Sequence, residues 1–180
     1  MTNINRVEVE SQRAKTLKRC KEIVWSYRTE LDPYWPCPEI WDSLLFCQTE
    51  LGEAIDAYLR GKPEYARNRD KDLDVLDELG DLALMAFTAL GENHEEVCGW
   101  WKPYDDVEEG GSPEQRFAWY AAWLGDALFD AINFYDDIDK WRRPIVSLLN
   151  NIATHPGMDL PARLTARLER IKAKRLAVEV

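Results

Sequence analysis

Residues 39–60 read Glu39-Ile-Trp-Asp-Ser-Leu-Leu-Phe-Cys-Gln-Thr-Glu-Leu-Gly-Glu-Ala-Ile-Asp-Ala-Tyr-Leu-Arg60. Residues 72–90 read Asp72-Leu-Asp-Val-Leu-Asp-Glu-Leu-Gly-Asp-Leu-Ala-Leu-Met-Ala-Phe-Thr-Ala-Leu90. With Glu50 at zero on a helical wheel of about 100° per residue, Leu51, Ala54, Ile55 and Tyr58 form one apolar face. With Glu78 at zero, Leu79, Leu82, Ala83, Ala86 and Leu90 do the same. Gly61-Lys-Pro63 stops the first helix and Gly91 the second. The short connection from Gly61 to Lys71 predicts that the two helices pack antiparallel with their apolar faces together.

The flanking chain is also helical in pattern. Val7, Ala14, Leu17, Cys20, Val24, Tyr27 and Leu31 fall three and four apart, which predicts a helix from Ile4 to Leu31. Asp32-Pro-Tyr-Trp-Pro-Cys-Pro38 breaks it, because proline cannot continue a helix. Ser112-Pro-Glu-Gln115 combines an N-cap, a first-turn proline and a capping-box glutamine. The helix it starts is expected to reach Lys140, with Pro144 opening a shorter one to Thr154. Asp159 caps a last, basic helix. No segment alternates with period two, so the expected fold is a single all-α domain over 1–180, a bundle of about five to six helices. Within it 39–91 is a first hairpin, 112–154 a second, acid-poor one, and 159–178 the basic C-terminal helix.

Glu50-Leu-Gly-Glu53, Glu78-Leu-Gly-Asp81 and Trp123-Leu-Gly-Asp126 resemble one another, which suggests a degenerate internal repeat. A mid-helix glycine costs about 1 kcal/mol relative to alanine, and close approach of a neighbouring helix is the simplest reason to keep one.

Charge and composition exclude several classes. The 180 residues carry 33 Asp+Glu against 23 Lys+Arg, a net charge of −10. That balance disfavours wrapping nucleic-acid phosphates or anionic lipid. The longest nearly apolar run, Leu82 to Leu90, is too short to span a bilayer. The first residues lack a signal-peptide core, so the expected location is cytoplasmic. Cys20, Cys37, Cys47 and Cys98 form no Cys-x-x-Cys pair, which rules out a zinc ribbon and favours buried thiols. Neither His94 nor His155 completes a Glu-x-x-His di-iron motif. Gly61-Lys-Pro63 lacks the other parts of a P-loop.

The acids are where chemistry concentrates. On the wheel Glu50 and Glu53 sit together on one edge of the first apolar face, and Glu78 and Asp81 on the same edge of the second, with Asp74 one turn earlier. Antiparallel packing points both edges into one cleft. Four carboxylates that close repel one another unless a cation sits among them. Oxygen donors without His or Cys suit Mg²⁺ or Mn²⁺. Either pair alone reads more simply as a solvated flank; two pairs in one wheel position on adjacent helices favour the metal.

Glu50-x-x-Glu53, followed after residues 54–77 by Glu78-x-x-Asp81, resembles the E-x-x-E…E-x-x-D signature of the all-α NTP pyrophosphohydrolases. That superfamily includes MazG-like proteins, dimeric dUTPases and dCTPases, and phosphoribosyl-ATP pyrophosphohydrolase. The resemblance centres on 39–91, with Gln48-Thr-Glu-Leu-Gly-Glu53 and Asp77-Glu-Leu-Gly-Asp81 at its core. It implies a helical fold, a homodimer, and Mg²⁺ held by Glu50, Glu53, Glu78 and Asp81. The implied activity is hydrolysis of a nucleoside triphosphate to monophosphate and pyrophosphate, with Glu50 or Glu53 as general base. The chain departs from the family at Met85, where an aromatic residue is frequent, and in its long aromatic second half. The rival expectation is a non-catalytic protein that senses a nucleotide or binds a partner.

Around this core, Arg60, Lys62, Arg67, Arg69 and Lys71 make a basic loop placed to clamp a triphosphate, or a merely solvated one. Asp126, Asp130, Asn133 and Asp137 share a stripe. It is either a wet helix face, the simpler reading, or a lining of the cleft with Asn133 on sugar or base. Trp41, Trp119 and Trp123 are expected in the core, while Trp35, Trp100 and Trp101 fall in loops, where an indole can stack on a base. The basic residues from Arg163 to Arg175 are expected to dock on the acidic body.

Overall fold

The computed structural model describes residues 3–31, 37–61, 74–92, 113–133 and 138–177. Among them the chain is all-α, with six helices: α1 (Asn3–Leu31), α2 (Ile40–Arg60), α3 (Val75–Leu90), α4 (Pro113–Asn133), α5 (Ile138–Ala153) and α6 (Leu160–Leu176). No helix among the described residues is long and apolar enough to cross a membrane.

α3 is the central element, packed against α2, α5, α6 and α1. From Leu79 to Leu90 all its residues except Met85 are buried. A helix apolar on nearly every side belongs inside a bundle, and Gly80, Ala83, Ala86 and Ala89 keep it slim enough to be surrounded. Its start differs from the sequence expectation. Asp74 is the N-cap, accepting the Leu76 N–H at 2.9 Å, so the helix opens at Val75 rather than Asp72. A capping aspartate satisfies one of the first-turn amides that have no acceptor within the helix. At the far end Gly91 adopts φ +80, a conformation that favours glycine. α2 packs along α3 as the other arm of the hairpin. The Cys47 thiol faces the Leu82 carbonyl at 4.0 Å and fixes the register.

α1 buries Leu17, Cys20, Val24 and Leu31. It also buries Arg28, whose Nη2 donates to Thr88 Oγ1 at 3.0 Å. Hydropathy could not mark that position as interior. Of the cysteines, Cys20 and Cys47 are buried free thiols and Cys37 is exposed.

The second half departs from expectation at Pro144. α4 is described as far as Asn133, and residues 134–137, through which the expected helix would run towards Lys140, lie outside the described residues; α5 (Ile138–Ala153) carries Pro144 inside it rather than opening at it. Trp141, Ile145, Val146, Leu148, Leu149 and Ile152 are all buried on this helix. Each large side chain so buried contributes about 1.5–3 kcal/mol. Together they exceed the roughly 3 kcal/mol that an interior proline costs. Packing therefore overrides the local signal.

Two further expectations are corrected. Trp119, Trp123 and Trp41 are 70%, 36% and 41% exposed; the core side of α4 is Tyr120, Leu124, Ala127, Leu128 and Ala131. Spacing places the two stripes but does not say which one meets the bundle. The repeated glycines are not sites of close approach either. A Cβ on Gly52 would meet nothing within 4 Å. One on Gly80 would lie 3.7 Å from Arg163 Cβ, and one on Gly125 3.9 Å from Leu51 Cδ2, both ordinary contacts. Replacing Gly52 by Ala is therefore expected to stabilise the protein by about 0.5–1 kcal/mol. Urea unfolding measures this, and a loss of stability would mean that something covers the glycine.

Candidate metal centre

The hairpin register builds the site. Cys47 lies opposite Leu82, so one turn further along α2 and one turn back along α3 bring Glu50 level with Glu78. Asp81, three residues after Glu78, shares its edge. Glu50, Glu78 and Asp81 each offer a carboxylate oxygen, and the three oxygens lie within 4.8 Å of one another. Glu53 stands outside this trio on the exposed flank of α2. Its charge nevertheless acts on all three.

Burial and mutual repulsion leave these groups reluctant to ionise. Glu50 rises from 4.5 to about 7, first because it is desolvated and then because Asp81, Glu53 and Glu78 crowd it. Asp81, 8% exposed, rises from 3.8 to about 6 through desolvation, against the pull of Arg167 and Arg170. Glu78 is raised as well, by desolvation and then by Asp81 and Glu53. Three oxygen donors with no imidazole or thiolate among them form a set that fits a hard divalent cation.

α6 covers one side of this edge, as its basic composition suggested. Arg163 Nη1 reaches Asp74 Oδ2 at 2.9 Å and Asp77 Oδ1 at 2.5 Å. Arg167 Nη2 reaches Asp81 Oδ2 at 2.7 Å. Lys172 pairs with Glu30 of α1 at 2.5 Å, and the Tyr27 hydroxyl donates to Glu169. The specific link from Arg167 to Asp81 was not foreseen. The only sequence signal for it is the helical spacing of Arg163, Arg167 and Arg170.

The remaining candidates fall elsewhere. Lys62, Arg67, Arg69 and Lys71 lie outside the described residues, as do Trp35, His94, Trp100, Trp101 and Asp137. Arg60 pairs with Asp56 one turn away at 2.7 Å. Asn133 donates through Nδ2 to the Phe129 carbonyl of its own helix at 2.9 Å. Phe117 stacks on Tyr58 with ring centroids 3.8 Å apart, and Gly125 faces Leu51, so α4 runs antiparallel to α2. That places Asn133 two turns beyond the level of Leu51, away from the carboxylates. Asp126, Asp130 and Asn133 are exposed, while Leu124, Leu128 and Ala131 opposite them are buried. Their stripe is the wet side of α4.

Fold and site thus define an all-α bundle with three carboxylates from facing helices gathered at the margin of its core. No family model matches the chain, and neither curated proteins nor solved structures give a match.

The raised carboxyls predict how a cation should act on stability. They bind protons more tightly folded than unfolded, so their contribution is present below about pH 4 and is lost as pH rises through about 6 to 7. A bound cation reverses this loss only where the carboxyls are ionised. At a hundredfold excess over its Kd, Mg²⁺ is expected to add about 2.7 kcal/mol, or roughly 5–10 °C in Tm. This gain belongs to about pH 8 and largely vanishes near pH 5. Thermal melts at both pH values measure it, and equal gains would detach the stabilisation from these carboxyls.

Proposed function

We propose that the protein is a Mg²⁺-dependent nucleoside triphosphate pyrophosphohydrolase, cleaving a (deoxy)nucleoside triphosphate between the α and β phosphates. The observation that carries this reading is the meeting of Glu50, Glu78 and Asp81 oxygens within 4.8 Å across the α2–α3 hairpin. Its sequence frame, E-x-x-E and E-x-x-D on facing helices, supports it further. When bound, the cation would neutralise phosphate charge and lower the pKa of a water. Mn²⁺ is an acceptable substitute for such a donor set.

The residues divide the work. Glu50, Glu78 and Asp81 hold the cation. Glu53, one turn from Glu50 and exposed, is free of the trio and can accept the proton of an attacking water. Glu50, with a carboxyl pushed up to about 7, is the other group suited to that role.

The test is release of pyrophosphate from a panel of natural and modified dNTPs with Mg²⁺. Turnover of at least one, abolished by chelation, is expected; no release from any would sink the reading. A non-catalytic nucleotide-sensing protein is the second reading, favoured by the ion pair that already engages Asp81. Mg²⁺-dependent nucleotide binding without turnover distinguishes it.

A homodimer belongs to the same proposal. Leu45 and Phe46 of α2 are 56% and 50% exposed, and Phe129 of α4 is 65% exposed. The antiparallel register puts Phe129 at their level. Such neighbouring apolar groups support burial against a second copy. Light scattering at micromolar concentration should give twice 20.9 kDa; a monomer would leave this face to another role.

A further inference from the structure

α6 brings a cation of its own to the carboxylates. Arg167 lies 2.7 Å from Asp81, a member of the trio, and its charge also acts on Glu50 and Glu78. The contact is a single one. The Arg167 Nε–H is buried and makes no hydrogen bond, whereas a guanidinium in a bidentate pair uses two parallel N–H groups. The side chain is 36% exposed, so solvent reaches part of it while it pairs with Asp81.

Arg167 is not what keeps α6 in place. Leu160, Leu164 and Leu168 are buried to 1% exposure or less. Arg163 spans Asp74 and Asp77, neither of them in the trio, and Lys172 ties α6 to α1. The helix therefore has its anchors on both sides of Arg167. Asp81 cannot serve a divalent ion fully while it neutralises a guanidinium, and two cations on one carboxylate repel.

We infer that Arg167 is a built-in counter-cation which a divalent ion displaces from Asp81, and that the released guanidinium then takes a phosphate of the nucleotide. This rests on the cation-site reading of the previous subsection and adds an order to it. The ion enters first and the polyphosphate second, met by an arginine that ion entry has released. Arg167 suits the second step because its planar donors match phosphate oxygens. In the ion-free protein the same group quiets the repulsion of the acids, which keeps the site assembled.

The experiment is calorimetric titration of the full chain with Mn²⁺ alone, then with tripolyphosphate in the presence of Mn²⁺. Wild type, Arg167→Gln and Arg167→Lys are compared, with circular dichroism to verify the helical fold. Coupling between competing sites predicts that Arg167→Gln binds Mn²⁺ about 5-fold more tightly and tripolyphosphate at least about 10-fold more weakly. Arg167→Lys keeps the charge and is expected to stay within about 3-fold of wild type for Mn²⁺, while its tripolyphosphate affinity falls between those of wild type and Arg167→Gln because an ammonium lacks the planar donors. Mn²⁺ binding that is unchanged or weaker in Arg167→Gln would instead make Arg167 an orienting partner of Asp81 and overturn the exchange. Unchanged tripolyphosphate affinity would overturn it too. A wild type that binds no Mn²⁺ removes the cation site itself, so the two failures are distinguishable.

Discussion

Replacing Glu50 by Gln is expected to lower Mg²⁺-dependent pyrophosphate release by at least about 100-fold while raising the Tm of the cation-free protein. Both effects come from one carboxylate. Removing a ligand from a site of three leaves too few anionic oxygens to hold a hard cation in place, and each lost decade of rate corresponds to about 1.4 kcal/mol of transition-state stabilisation. In the absence of cation the same carboxylate is a burden. Its carboxyl is pushed up to about 7 by burial and by Asp81, Glu53 and Glu78, so ionising it opposes folding. Glutamine keeps the shape and removes the charge. The Tm difference between variant and wild type should be small at about pH 4.5, grow up to about pH 7 and then level off, because over that range the unfolded wild type releases a proton that the folded carboxyl retains. Comparing variant with wild type also cancels His155, whose lowered pKa acts in the opposite sense. Trading stability for activity in this way is expected of a functional site. A variant that keeps its activity, or that is less stable than wild type at pH 8, would mean that Glu50 is an ordinary surface acid.

The α2–α3 hairpin was legible because every local signal agreed: apolar period, glycine stops and a short connection. Glu50, Glu78 and Asp81 could be placed on one edge from the wheel alone, but the wheel gives direction and not depth. It could not tell that Glu53, on the same edge, would stand outside the trio. Pro144 misled because a local rule was applied where six buried side chains decide the outcome. Arg167 escaped notice because an ion pair between residues 81 and 167 leaves no periodic trace in either segment. Gly52 misled for a related reason, since a repeated residue was taken to share one cause with its copies while their surroundings differ.

Replacing Phe87 by Ala is expected to cost about 3–5 kcal/mol, among the largest losses available to one substitution here. Phe87 is 1% exposed and among the largest fully buried side chains, on the helix that four others surround. With small residues at 83, 86 and 89 beside it on α3, the neighbours have little bulk with which to fill the void. At roughly 2–4 °C per kcal/mol the Tm should fall by about 10 °C, which urea unfolding can verify as a change in midpoint. Trp119→Ala removes a larger ring, yet with 70% of that residue exposed its effect on a monomer should stay within about 0.5 kcal/mol. The contrast separates burial from hydrophobicity, which sequence alone could not do for these two aromatics. It also separates fold from site. Phe87 lies nearly two turns beyond Asp81, so molecules of Phe87→Ala that remain folded should bind Mn²⁺ as wild type does, whereas Glu50→Gln should fail to bind it while folding better. If Phe87→Ala cost less than about 1 kcal/mol, the C-terminal half of α3 would not be the packed axis of the bundle. The carboxylates would then lack the rigid support on which their convergence depends.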